Sequence, residues 1–292
     1  MAKGKRDGRL LGVHCSIAGG VENAPLAGGK LGCTAIQLFT GSNQQWHAPK
    51  ITKAQAEAFQ RNMEEQGIRA AVAHACYLIN LAAPDRTIYA KSIGAMAGEI
   101  ERAELLGIPW VIVHPGSPKE RGLEWGMERI ASAINRVLDR TAKLQAGIAL
   151  ETTAGQGSSI GHDFAELAHI MDMIEAKERV RVCFDTCHAF AAGYDLRTKP
   201  AYSKSWREFD RTVGIKNLIA LHLNDSKNEL SSRKDRHTHI GEGKIGLNGF
   251  RLIMNDRRLA AIPMILETPK EEEGVDCDSK NLKMLRKLVL TT

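Results

Sequence analysis

Eight short apolar runs, spread over most of the chain, each stop at or beside a residue that can bind a metal ion or a phosphate. They are Leu11–His14, Ala35–Phe39, Ala70–His74, Val111–His114, Ile148–Glu151, Val180–Asp185, Leu218–His222 and Met264–Glu267. A strand buried on both faces reads as a near-continuous apolar stretch, which is the mark of a parallel sheet covered by helices. Between the runs lie segments with apolar residues at helical spacing, the alternation expected of a βα repeat. Thr52–Gln66 is one: Thr52 caps its start, Ala56, Phe59 and Met63 share a face, and Gly67 supplies the left-handed exit. Further helices are expected over Thr87–Leu106, Leu123–Leu144, His162–Ala176, Ser203–Val213, Leu247–Asp256 and Ser279–Leu290. Val21–Leu31, interrupted by Pro25 and the Gly28–Gly29 pair, is expected to be irregular.

A length of 292 residues suits one (β/α)8 barrel, a fold of typically about 250 residues. The expectation is therefore a single α/β TIM barrel over residues 10–292, preceded by a basic flexible tail over residues 1–9. No Pro- or Ser-rich linker marks a second domain. No apolar stretch approaches the roughly 20 residues that span a bilayer, so membrane insertion is not expected. No apolar h-region follows the basic N-terminal residues, which argues against a secretory signal and for a cytoplasmic location. Cys15, Cys33, Cys76, Cys183, Cys187 and Cys277 form no CxxC pair and read as reduced, buried thiols. The net charge of +6 fits a polyanionic partner without requiring one.

His74, His114, Glu151, Asp185, His222 and Glu267 each close one of the apolar runs. Two loop clusters, Asp185 to His188 and Asp235 to His237, add His188, Asp235 and His237. In a closed parallel barrel the active site is built where the strands end, so one polynuclear site accounts for all of these at once. Imidazole and carboxylate without thiolate suit Zn2+, Mn2+ or Fe2+ better than Mg2+ or Ca2+. Five histidines and four carboxylates exceed what one tetrahedral ion can use, which points to two or three ions sharing bridging carboxylates.

The same residues carry a family resemblance. Gly12–Val–His–Cys–Ser–Ile–Ala–Gly–Gly20, His114–Pro–Gly–Ser117, Phe184–Asp–Thr–Cys–His–Ala–Phe–Ala–Ala–Gly–Tyr–Asp195, His222–Leu–Asn–Asp–Ser–Lys227, Asp235–Arg–His237 with Ile240–Gly–Glu–Gly243, and Leu266–Glu–Thr–Pro269 resemble motifs of endonuclease IV, the abasic-site DNA repair nuclease. The resemblance runs from about Leu11 to Leu288. It implies three Zn2+ at the C-terminal face of the barrel, with Mn2+ able to replace zinc at one site. By that resemblance His74 and His114 hold the first ion and Glu151 bridges to the second. Asp185, His222 and Glu267 complete the second, and His188, Asp235 and His237 hold the third. Glu151 and Glu267 are the implied catalytic carboxylates. The implied reaction is hydrolysis of the phosphodiester 5′ to an abasic site in duplex DNA, together with removal of blocking groups from 3′ ends. No obligate protein partner is implied.

An enzyme that works on a nucleotide in a duplex must take it out of the stack, and wedging side chains lower the cost. The resemblance assigns that role to the loop holding Tyr77 and Leu78. Gln44 stands where family members commonly have arginine, which removes a charge and predicts weaker DNA affinity. Thr152 and Thr153 stand where an Asn is frequent, but a threonine hydroxyl still hydrogen-bonds. Arg236 is expected to contact phosphate, whereas Lys227 and Lys244 fit a solvated surface as well as a phosphate contact. His14 is expected to be a hydrogen-bonded histidine beside the site, and His47, His162, His169 and His239 structural or surface residues.

Two other readings stay open. Sugar isomerases and epimerases of the xylose-isomerase-like type share a barrel with strand-end acids and histidines around one or two metals, but do not need the His188, Asp235 and His237 cluster. A DNA-lesion-binding protein with weakened catalysis is the other, and Gln44 is its only encouragement.

Overall fold

The computed structural model describes residues 8–272 and 275–290. Eight parallel strands close into one barrel: β1 (Leu11–Cys15), β2 (Ala35–Phe39), β3 (Ala70–His74), β4 (Trp110–Val113), β5 (Gly147–Glu151), β6 (Val180–Asp185), β7 (Leu218–His222) and β8 (Met264–Leu266). Consecutive strands are neighbours, and β1 closes the ring by pairing with β8 through Leu11 with Met264 and Val13 with Leu266. The helices outside it are α1 (Asn23–Lys30), α2 (Lys53–Gln66), α3 (Arg86–Leu105), α4 (Leu123–Arg140), α5 (Phe164–Asp172), α6 (Thr186–Ala192), α7 (Lys199–Thr212), α8 (Gly246–Met254) and α9 (Cys277–Leu288). Among the described residues none is long and apolar enough to cross a membrane.

Side chains on each strand alternate between the helices and the barrel lumen. The outward set, such as Val13, Ile36, Leu38, Leu150 and Leu221, joins the helix faces in the main core. The inward set forms a separate apolar plug of Ala35, Val72, Ile112, Ala149, Cys183, Ala220 and Ile265. Its small members keep the lumen packed rather than open. At Gly12 the β2 backbone comes so close that a Cβ would collide with the Ala35 carbonyl.

Local signals set the helix ends. Thr52 and Gln55 form a capping box at the start of α2, and Gly67 ends it at φ 66°. The α7 helix starts at Lys199 rather than Ser203, because Thr198 caps it and Pro200 fits its first turn. The α4 and α5 helices stop sooner than expected, at Arg140 and Asp172.

One expectation needs correction. Val21–Leu31 is not irregular: Asn23–Lys30 is a helix, since Pro25 lies in the first turn, where its missing N–H costs nothing. At the end of the expected tail, the Arg69 guanidinium donates to the carbonyls of Gly8 and Arg9, and Thr34 Oγ1 also donates to the Arg9 carbonyl. Residues 1–7 of that tail lie outside the described residues. All six cysteines are buried.

Candidate metal centre

Two residues beyond each member of the apolar plug, the next inward position holds a polar side chain. Val72 leads to His74, Ile112 to His114, Ala149 to Glu151, Cys183 to Asp185, Ala220 to His222 and Ile265 to Glu267. The remaining two positions of this layer are His14 on β1 and Gln37 on β2. A period of two along each strand thus turns eight dispersed residues into one polar floor at the C-terminal mouth.

The expected ligands fall into three contiguous groups. His74 Nε2 and His114 Nε2 each lie 3.1 Å from Glu151 Oε2. The other oxygen of Glu151, Oε1, is 2.8 Å from His222 Nδ1, which is also 3.0 Å from Glu267 Oε2. Asp185 Oδ2 stands between His222 Nδ1 at 3.9 Å and His237 Nε2 at 3.8 Å. Asp235 reaches His188 Nε2 at 3.1 Å and His237 Nε2 at 3.3 Å. All nine residues come together, with Glu151 and Asp185 at the joints between groups.

The donor set fits divalent cations. His74 Nδ1 donates to the Ala75 carbonyl at 2.8 Å and His188 Nδ1 to the Thr152 carbonyl at 2.9 Å, which leaves each Nε2 a bare lone pair facing inward. His188 Nε2 and His237 Nε2 then face each other at 3.4 Å between Asp235 and Asp185. Lone pairs and carboxylates in such contact need a cation among them, either protons or a metal.

The charge balance says the same. Burial would lower the pKa of His188, but Asp185, Asp235 and Glu151 raise it well above the ordinary imidazole value. Burial would raise Glu151, but His222, His114 and His188 hold it well below the carboxylate range. Asp235, which burial would raise, is held at about 2, chiefly by His188. His14 differs: burial lowers it to about 3, so it is a neutral imidazole.

Sequence and fold comparisons agree on kinship. The family model described as xylose isomerase-like TIM barrel matches residues 27–288. Probable endonuclease 4 of Geobacter sulfurreducens is 46% identical over 96% of this chain and 94% of its own length. That of Chlorobium phaeobacteroides is 48% identical over 90% of this chain and 93% of its own. The crystal structure of endonuclease IV from Thermus thermophilus superposes with a TM-score of 0.84 at 38% identity, covering 96% of this chain and 98% of that one.

The chain belongs to the endonuclease IV family. It is accordingly a nuclease, a phosphodiester hydrolase. A D-tagatose 3-epimerase-like protein, 18% identical with a TM-score of 0.70, shares the fold alone.

Three residues that build this endonuclease IV site carried no assigned role in the sequence. Gln37 is one. Asn224 is another: its Nδ2 donates to Asp185 Oδ2 at 2.6 Å while its Oδ1 accepts from the Glu267 backbone at 2.9 Å. Asp185 Oδ1 meanwhile caps α6 through the His188 N–H, so neither carboxylate oxygen is free to swing. The third is Asp225, fully buried, whose carboxylate accepts backbone N–H groups of Ser226, Gly241, Gly243, Ile245 and Gly246. Those bonds pin the loop that bears Asp235 and His237, and at Gly243 a Cβ would strike the carboxylate. Asp225→Ala is expected to lower stability by about 3 kcal/mol, because several buried N–H groups lose their acceptor. Urea denaturation would measure this, and early proteolytic cleavage within residues 227–246 should accompany it.

Of the expected DNA contacts, Tyr77 lines a cavity of about 480 Å3 whose walls also include His14, Phe39, Glu267 and Lys270. Tyr77 is 67% exposed, stands edge-on to Phe39 at 5.4 Å and receives support through its N–H to the Asn43 carbonyl. Leu78 is half-buried and packs against the core. Gln44 and Arg236 are exposed, and Arg236 folds back onto the Asp235 carbonyl. Lys244 is paired with Glu229 at 2.8 Å. A second cavity, about 530 Å3, lies at the opposite end of the barrel around Leu10, Trp110 and Pro263, away from the ligand groups.

Proposed function

We propose that this enzyme hydrolyses the phosphodiester 5′ to an abasic site in duplex DNA, leaving a 3′-hydroxyl and a 5′-deoxyribose phosphate. The observation that carries the reading is the convergence of five imidazoles and four carboxylates in three joined groups, in a chain of the endonuclease IV family. His74, His114 and Glu151 would hold one Zn2+, and Glu151, Asp185, His222 and Glu267 a second. His188, Asp235 and His237 would hold a third, with Mn2+ accepted at one of the three. When bound, such ions make water nucleophilic near neutral pH and offset the charge on the phosphodiester.

The chain's own groups do the rest. Glu151 and Glu267 stay ionised at working pH, since the surrounding histidines hold both well below the carboxylate range despite burial. Glu151 orients through both oxygens and has no freedom to shuttle a proton. Tyr77 stands at the cavity rim, where its ring would enter the space vacated by the missing base; Leu78 would support it. Gln44 and Arg236 would meet the backbone. The same cavity would accept a blocked 3′ terminus, because the bond to be broken is alike.

The deciding experiment is incubation with a duplex carrying one tetrahydrofuran abasic analogue, a substrate that β-elimination cannot cut. Zinc-dependent incision with about three zinc ions per chain is expected. No incision in the presence of zinc would favour a lesion-binding protein. One Mn2+ or Mg2+ per chain with ketose turnover would favour an isomerase. Tyr77→Ala is expected to raise KM about tenfold with a smaller effect on kcat, as loss of one stacking surface does. Steady-state incision kinetics would measure it.

A further inference from the structure

Gln37 is fully buried in the polar layer and uses its amide in three directions. Its Oε1 accepts from His222 Nε2 at 2.7 Å. Its Nε2 donates to Glu267 Oε1 at 2.5 Å and to His14 Nδ1 at 2.9 Å. The assignment of oxygen and nitrogen follows from the partners. Turned over, the amide would set an oxygen against the Glu267 carboxylate and its N–H groups against His222 Nε2. The His222 proton would then sit on Nδ1, the atom facing Glu151 and Glu267. In the observed orientation the proton is on Nε2 and the Nδ1 lone pair is free for a metal. The same amide takes the lone pair of His14 Nδ1, so the His14 proton sits on Nε2. His14 itself borders the cavity, packed on Phe39 at 4.4 Å.

We infer that Gln37 is a positioning residue of this centre: one carboxamide sets the His222 tautomer and the Glu267 carboxylate for the metal, and holds His14 as a neutral donor at the cavity wall. The inference rests on the proposed metal centre. No other side-chain type of this size does all three tasks. Glutamate has no hydrogen to give Glu267, and methionine has neither donor nor strong acceptor.

The test begins with the unaltered protein. In the zinc-loaded enzyme, 15N NMR of labelled histidine should show an imidazole bound through Nδ1 and protonated at Nε2. His74 and His188, whose Nδ1 atoms donate to backbone carbonyls, should bind through Nε2. A spectrum without any Nδ1-bound imidazole overturns the inference. In Gln37→Met, cobalt affinity measured by chelator competition should fall about 10- to 100-fold and the visible cobalt spectrum should change, with the metal-free melting temperature as the control for folding. His14→Phe should raise KM for incision and leave cobalt affinity and spectrum as they were. Wild-type affinity and spectrum in Gln37→Met sink the inference alone, and so does lost cobalt affinity in His14→Phe. A wild-type protein that neither binds cobalt nor incises sinks the functional reading beneath it.

Discussion

Glu151→Gln is expected to lower incision at an abasic analogue by at least about 10³-fold, a loss of roughly 4 kcal/mol of transition-state stabilisation. Glu151 is fully buried and faces two groups at once, with Oε2 toward His74 and His114 and Oε1 toward His222. Glutamine keeps the volume but offers one oxygen, and its NH2 turns a donor toward imidazole nitrogens that already have their lone pairs directed inward. Both groups that share this carboxylate lose an anionic ligand together. Metal analysis should show fewer than the wild-type number of ions, and far-UV circular dichroism an intact barrel. Incision within tenfold of wild type by the variant would refute the bridging role.

Chelation is expected to abolish incision and to reverse the pH dependence of stability. In the metal-free protein, burial would lower His222, but Cys183, Glu267 and Glu151 raise it well above its ordinary value, and His188 is raised likewise by its carboxylates. A raised histidine contributes stability in full below its unfolded value, about 6.5, and that contribution is lost as pH rises through the folded value. Glu151 and Glu267 act oppositely. Held low in the fold, they contribute above the unfolded value of about 4.3 and lose the contribution only in strong acid. The metal-free site is therefore most stabilising between about pH 4.5 and 6.5 and weakens above it. Metal binding requires those same imidazoles without their protons, so the gain in melting temperature on adding zinc should grow from pH 6 to pH 8. Differential scanning calorimetry with and without chelator would read this, and an equal gain at both pH values would refute it.

How much of this is legible in the sequence follows from the period of a strand. The apolar runs end at His74, His114, Glu151, Asp185, His222 and Glu267, which are the inward positions just above the plug. Gln37 occupies the equivalent place on β2, two residues beyond Ala35, yet gives no signal of its own because a neutral amide has no metal chemistry. Counting two from each inward apolar residue would find it. Asp225 and Asn224 lie inside a motif, but nothing local distinguishes a carboxylate that binds metal from one that gathers backbone N–H groups. Only the return of the chain at Gly241 to Gly246 reveals the difference. The α6 helix is hidden for a related reason: Asp185 reads as a ligand, and it is also the cap of that helix.

The residues along each strand dictate by themselves which side chains turn inward, because a pleated backbone alternates its faces whatever surrounds it. They also supply the helix caps and the chemical character of the donors. Which of these inward groups meet was decided by closure of β1 onto β8 and by the register between strands, which brings Gln37 and Glu267, 230 residues apart in the chain, into hydrogen-bond contact. Depth in a barrel depends on the stagger of all its neighbours, a sum of pairings that no single segment encodes.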